Sequence, residues 1–192
     1  MTKNSILSDL YARYNFCGDN NPYYIAGAKS YVPGFGNENS VVMVIGEAPG
    51  EEEENTQKPF QGRSGKLLRT ILAKYGFDDT TMFVTNVVKF RPPKNRKPTE
   101  EEIAIHMTVL LEEIAVIQPK YVVLVGATAL VLYTNDSKLT ISKLRGKVFF
   151  NEGMGCFFFP IYHPAYILRN LSLLSIFEND IAHIASYVKN NA

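Results

Sequence analysis

Val41-Val42-Met43-Val44-Ile45-Gly46-Glu47-Ala48-Pro49-Gly50 joins five consecutive apolar residues to a turn carrying one carboxylate. A continuous apolar run of this kind is expected of a strand buried on both faces of a parallel sheet. Three further segments read the same way: Met82 to Val87, Tyr121-Val122-Val123-Leu124-Val125, and Cys156 to Tyr162. Helical patterns lie around them. Asn4 to Tyr14 gathers Ile6, Leu7, Leu10 and Tyr14 on one side. Ser64 is a candidate cap for a helix reaching about Tyr75, with Leu67, Leu68, Ile71 and Leu72 as its stripe. Thr99 followed by Glu102 is a capping-box pattern for a helix running to about Ile117, and Ile176 to Val188 forms a terminal helix. Gly126-Ala127-Thr128-Ala129 turns into a short helix, and Gly18 to Asn39 is an irregular lead-in.

Four buried strands alternating with helices predict an α/β fold, a three-layer α/β/α arrangement around a central four-stranded parallel sheet. No linker, repeat or low-complexity tract interrupts the chain, so residues 1–192 are expected to form one domain. Hydrophobic residues make up 46% and charged residues 20%, which excludes wholesale disorder. A net charge of +1 means that a polyanionic partner must be met by a local basic patch. Cys17 and Cys156 are too few for a disulfide framework and suit a reducing cytoplasm. Short, interrupted apolar runs predict no membrane span, and the first residues lack the pattern of a secretory signal.

In parallel sheets, ligands bind outside the carboxyl ends of the strands. The segments that follow the four strands, Gly46 to Gly50, Asn86 to Arg91, Gly126 to Thr128 and His163 to Tyr166, therefore share one edge. Asn86 presents an amide donor and acceptor side by side, complementary to the O4 and N3–H edge of uracil; the alternative is an amide capping a turn. His163 precedes Pro164 and either donates to an oxygen that gains negative charge or serves as a structural residue. Glu47 either orients water or a cationic sugar, or accepts backbone N–H groups within its turn. Phe60, in a loop rich in Gly and Pro, either stacks on a base or packs in the core. Glu51 to Glu54 read as a solvated acidic face. Gly62 to Lys66 lacks the spacing of a phosphate-binding P-loop, because two residues separate the glycines and Leu67 follows Lys66. The helix start there still offers N–H groups which, with Ser64 and Lys66, suit one phosphate. Lys89, Arg91, Lys94, Arg96 and Lys97, stiffened by Pro92, Pro93 and Pro98, form a basic loop suited to DNA phosphates. His106 and His183 fall on helices and are read as structural.

Taken in order, Gly46-Glu47-Ala48-Pro49-Gly50, Pro59-Phe60-Gln61-Gly62-Arg63-Ser64-Gly65, Thr85-Asn86-Val87-Val88-Lys89 and His163-Pro164-Ala165 resemble the family 4 uracil-DNA glycosylases. Val32-Pro33-Gly34-Phe35-Gly36-Asn37 and Leu144-Arg145-Gly146-Lys147 are similar to that family's flanking segments. The resemblance implies the uracil-DNA glycosylase fold and hydrolysis of the N-glycosidic bond of deoxyuridine in DNA, which leaves an abasic site. It implies that Asn86 reads the uracil edge, Phe60 stacks on the ring, His163 stabilises the departing uracil anion, and Glu47 activates water or stabilises the sugar cation. Gly46 and Ala48 would line the base pocket. Tyr166, Ile167 and Leu168 match the family's wedge loop, with Arg169 on phosphate. A monomer acting on uracil-containing DNA and releasing uracil is the expected working unit, in the cytoplasm and at the nucleoid in a prokaryote. A noncatalytic DNA-binding or processivity module and a hydrolase of free nucleosides are the rival readings.

The chain departs from the family in one respect. Family 4 enzymes resemble one another in holding a [4Fe–4S] cluster on four cysteines, whereas this chain has Phe90 in the Lys-Cys-Arg-Pro position and His106 near the third. Cys17 alone remains near the N-terminal pair, and Cys156 falls outside the pattern. No cofactor and no metal site are therefore expected, with Phe90, Tyr23, Tyr24 and Tyr31 forming a substitute apolar minicore. Lys94-Asn95-Arg96-Lys97 has no histidine at the position where a related subgroup cross-links to DNA, so no covalent link is expected.

Overall fold

The computed structural model describes residues 1–134, 136 and 138–191. Strands β1 (Phe35–Gly36), β2 (Val42–Gly46), β3 (Phe83–Asn86), β4 (Tyr121–Val125), β5 (Phe149–Asn151) and β6 (Cys156–Ile161) form one sheet in the order β1-β3-β2-β4-β6-β5. The central four, β3-β2-β4-β6, are parallel, as the apolar runs require. The sheet is nevertheless wider than the four strands expected. β1 and β5 add antiparallel edges to β3 and β6. They escaped the sequence because they span two and three residues and are only partly buried, too short for a strand pattern to show.

Helices α1 (Lys3–Ala12), α2 (Glu51–Thr56), α3 (Arg63–Lys74), α4 (Glu100–Ile117), α5 (Ile141–Leu144), α6 (Pro164–Arg169) and α7 (Leu174–Asn190) cover the sheet. Side chains alternate along each strand, and the alternation sorts them into two cores. Met43, Ile45, Val122, Leu124 and Phe158 face Leu7 and Leu10 of α1 and Val109, Leu110 and Ile114 of α4. Val42, Val44, Val123, Phe159 and Ile161 face Leu68, Ile71 and Leu72 of α3, Ile167 of α6, and Phe177 and Ile181 of α7. The result is the predicted three layers. Among the described residues, no helix is long and apolar enough to cross a membrane.

Two helix starts bear on the site. The capping box on α4 is formed: Glu102 N–H donates to Thr99 Oγ1 (3.1 Å) and Thr99 N–H to Glu102 Oε2 (2.8 Å). α3 starts one residue before the expected cap. Gly62 is its N-cap and Ser64 its second helical residue, since extended Gly62 (φ −68°, ψ −179°) hands the chain directly into the first turn.

Candidate active site

Parallel pairing sets the carboxyl ends of the four central strands level: Gly46 lies opposite Asn86, and Val125 opposite Ile161. A cavity of about 950 Å³ opens at that edge, and Glu47, Phe60, Asn86 and His163 all line it. The four residues that sequence reasoning assigned to chemistry thus meet in one place.

Gly46 makes their convergence possible. A Cβ on it would lie 2.4 Å from Asn86 Oδ1 and 2.6 Å from Phe60 Cζ, so only glycine lets the amide and the ring approach across the strand end. Asn86 is 5% exposed, yet its side-chain amide makes no hydrogen bond to any described residue. The amide opens onto the cavity with its donor and acceptor free for a ligand, which argues against the turn-cap reading. Phe60 lies at the boundary between core and cavity. It belongs to the core beside Val84 and Leu68, and its ring also forms a wall of the cavity. Its φ of 58° is left-handed, a conformation that costs a phenylalanine on the order of 1 kcal/mol or more.

His163 caps α6, and its Nδ1 accepts the Ala165 N–H (3.2 Å). Burial lowers its pKa; the Glu47 carboxylate opposes that shift and the Arg169 guanidinium adds to it. A neutral ring whose Nδ1 accepts carries its proton on Nε2. The side chain packs against the turn after β4, where Gly126 has a φ of 86° and an added Cβ would come within 3.0 Å of His163 Cβ. Glu47 does not accept N–H groups within its own turn. Thr128 Oγ1, from the loop after β4, donates to its Oε2 instead. Sequence reasoning placed that loop at the right edge but gave Thr128 no role.

The surrounding cations separate into two groups. Lys89 was expected on DNA, but it is 0% exposed. Its Nζ donates to Thr85 Oγ1 (2.5 Å) and to Glu113 Oε2, while Tyr11 OH donates to Glu113 Oε1 (2.7 Å). The reason is Glu113, a fully buried carboxylate on α4 that needs a partner, and Lys89 lies at the right height to supply one. Burial lowers the Lys89 pKa, and Glu113 opposes the shift. Arg91 is also occupied, pairing with Glu54 (3.2 Å) and Glu51 (3.7 Å) and donating to Asn95 Oδ1 (2.7 Å). Arg96 forks onto both Glu102 oxygens (2.7 and 2.6 Å). Lys94 and Lys97 are exposed, and neither pairs with a carboxylate among the described residues. Ser64, Ala48, Tyr166, Leu168 and Arg169 also line the cavity, with Tyr166 41% exposed; Lys66 is exposed on the first turn of α3.

The acidic run is not a solvated face. Glu51 and Glu52 are exposed, but Glu53 and Glu54 are 8% and 4% exposed. Glu54 accepts the Lys29 N–H (2.7 Å), and Glu53 accepts those of Gly50 (3.1 Å), Gln61 (2.8 Å) and Gly62 (2.7 Å). The three-residue step from Gly50 to Glu53, a capping-box spacing with glycine as the cap, was the signal that separates Glu53 from its neighbours.

The profile of the Uracil DNA glycosylase superfamily matches residues 33–187. The chain belongs to that family. A Type-4 uracil-DNA glycosylase of Thermotoga maritima is 42% identical over 160 residues, spanning 82% of this chain and 83% of the relative. Those of Archaeoglobus fulgidus and Saccharolobus solfataricus are 39% and 38% identical, spanning 81% of this chain in each case and 80% and 75% of the relatives.

The iron–sulfur cluster that the family 4 resemblance implies does not fit the residues present. At its place Phe90, fully buried, meets Tyr31 and Tyr24 edge-on with ring centroids 5.4 and 5.7 Å apart, and His106 lies 6.1 Å from it. Tyr23 covers His106 at 5.8 Å. Cys17 is exposed and Cys156 is buried within β6, so the two thiols fall short of a four-thiolate set. Aromatic packing fills the region between the irregular lead-in and the first turns of α4, and Lys89 N–H donates to His106 Nδ1 (3.4 Å) there.

Proposed function

We propose that this protein is a uracil-DNA glycosylase that hydrolyses the N-glycosidic bond of deoxyuridine in DNA, working as a monomer on uracil-containing DNA in the cytoplasm. The observation that carries this reading is the partnerless, 5%-exposed amide of Asn86, beside the Phe60 ring and the His163 imidazole in one cavity. A uracil rotated out of the duplex would lie against Phe60. The Asn86 amide would then donate to O4 and accept N3–H, using both halves of a group that no described residue engages.

As the bond from C1′ to N1 breaks, its electron pair moves to the base, and negative charge grows on the ring oxygens. His163 Nε2–H is the donor for O2, because burial favours the neutral ring and the Ala165 N–H donated to Nδ1 leaves the ring proton on Nε2. The sugar becomes cationic. Glu47, steadied by Thr128, stands on the cavity wall as the carboxylate to stabilise it and to orient the water whose oxygen joins C1′. The water's proton leaves to solvent or to the uracil anion. Unlike O-glycoside hydrolysis with its two carboxylates, this reaction has a good anionic leaving group, so one carboxylate with fixed donors suffices.

The test is release of uracil from a labelled oligonucleotide, read as strand nicking after alkali. Wild type should nick it, and Asn86→Ala should lower kcat/KM by on the order of 10⁴-fold, because the site would lose its paired contacts to O4 and N3–H of the base. Equal nicking by the variant, or DNA binding by wild type without nicking, defeats the reading; the second result would mark a noncatalytic module.

A further inference from the structure

We propose that Glu53 and Arg69 are positioning residues for Phe60, a two-sided clamp that fixes the stacking ring without touching the base; this rests on the stacking role given to Phe60 above. One peptide group is held at both of its ends. The carbonyl of Phe60 and the N–H of Gln61 are two ends of the same plane, so holding both fixes the ψ of Phe60. Arg69 Nε donates to the Phe60 carbonyl (3.0 Å), and Glu53 Oε1 accepts the Gln61 N–H (2.8 Å). One more bond lies on each side: Arg69 Nη2 donates to the Pro59 carbonyl (3.1 Å), and Glu53 Oε1 also accepts the Gly62 N–H (2.7 Å). A cation and an anion thus grip opposite ends of the loop, with charge-assisted bonds that exceed neutral ones in strength.

The loop needs such a grip. Phe60 is held at a φ of 58°, and strain of that kind persists only where the surroundings over-determine the backbone. Gly65 supplies the floor, since a Cβ there would lie 2.3–2.5 Å from the C, Cα and O atoms of Phe60. Arg69 is itself anchored by Asp79 (2.5 Å). The second oxygen of Glu53 accepts the Gly50 N–H (3.1 Å), at the end of the turn that begins with Glu47. The clamp therefore sets the spacing between the carboxylate wall of the cavity and the aromatic wall. Glu53 lies on the cavity lining, but its oxygens are committed to three backbone N–H groups.

Glu53→Gln is nearly isosteric and keeps one oxygen, but its amide nitrogen would face an N–H donor. The test compares wild type, Glu53→Gln, Phe60→Leu and the double variant. The readouts are single-turnover excision on a uracil oligonucleotide, inhibition by free uracil, and Tm. Arg69→Gln, alone and with Phe60→Leu, is read in parallel and carries the test if Glu53→Gln does not fold. Glu53→Gln is expected to slow excision by about 10- to 100-fold and to weaken inhibition by uracil in step. In the Phe60→Leu background it should cost less than about 3-fold, because residues that act through one another are non-additive. A full penalty in both backgrounds, or slowed excision with uracil inhibition unmoved, overturns the clamp. Failure of wild type to release uracil is a different result: it removes the glycosylase reading, and the clamp's purpose with it.

Discussion

Gly46→Ala should inactivate the protein without unfolding it. The backbone of Gly46 is strand-like and lies outside the left-handed region, so alanine is compatible with its conformation. Space is the obstacle. The new methyl would lie 2.4 Å from Asn86 Oδ1 and 2.6 Å from Phe60 Cζ, where ordinary contact begins near 3.4 Å. To restore contact, the amide must retreat by about 1.0 Å (3.4 − 2.4) and the ring edge by about 0.8 Å (3.4 − 2.6). Both groups are proposed to hold the same base, and a displacement of about 1 Å at a reacting centre is worth roughly 100-fold in rate. Excision from a uracil oligonucleotide under single-turnover conditions should fall by that factor or more. Far-UV circular dichroism should be unchanged, and Tm should drop by only a few degrees, because Asn86 can swing into the cavity. A variant with wild-type excision and wild-type Tm would refute the reasoning, since it would mean that neither Asn86 nor Phe60 needs its present position.

Two further outcomes follow from burial and charge. His106 is 1% exposed, and burial and the Lys89 cation lower its pKa from 6.5 to about 4, so it folds neutral and must charge on unfolding in acid. Its contribution is fully present above pH 6.5 and is lost as the pH falls toward 4: 2.5 pH units at 1.36 kcal/mol each, about 3 kcal/mol in all and roughly 2 kcal/mol between pH 7 and 5. Urea unfolding at several pH values should therefore give His106→Leu a flatter acid limb than wild type by that amount, and parallel limbs would contradict it. For DNA binding, Lys94 and Lys97 are exposed without carboxylate partners among the described residues, whereas Arg91 and Arg96 are paired. Replacing both lysines by alanine should make the slope of log K against log salt shallower by about 1.8 (2 × 0.9), measured by anisotropy; an unchanged slope would take the loop off the DNA path.

What the sequence made legible follows the reach of local rules. The four parallel strands were readable because burial on both faces forces unbroken apolar runs, and the strand-end rule then brought Glu47, Asn86 and His163 to one edge with no tertiary information. The errors share a cause. Lys89 and Glu53 carry charge, and charge reads as surface until its partner is known. The partner of Lys89 is Glu113 on another element, and the three donors to Glu53 include two in the Phe60 loop. A charged side chain is buried only where something distant satisfies it, so single-residue type misleads most where the fold has invested most. The same logic separates the basic loop into parts. Five cations in a row suggested one electrostatic patch, but Lys89 neutralises the core, Arg91 and Arg96 hold the loop's shape, and only Lys94 and Lys97 remain free among these five described residues. A loop that spends three of its five charges on its own architecture is built for a fixed shape first and phosphate attraction second, which suits a surface that must present an extruded base to a narrow site.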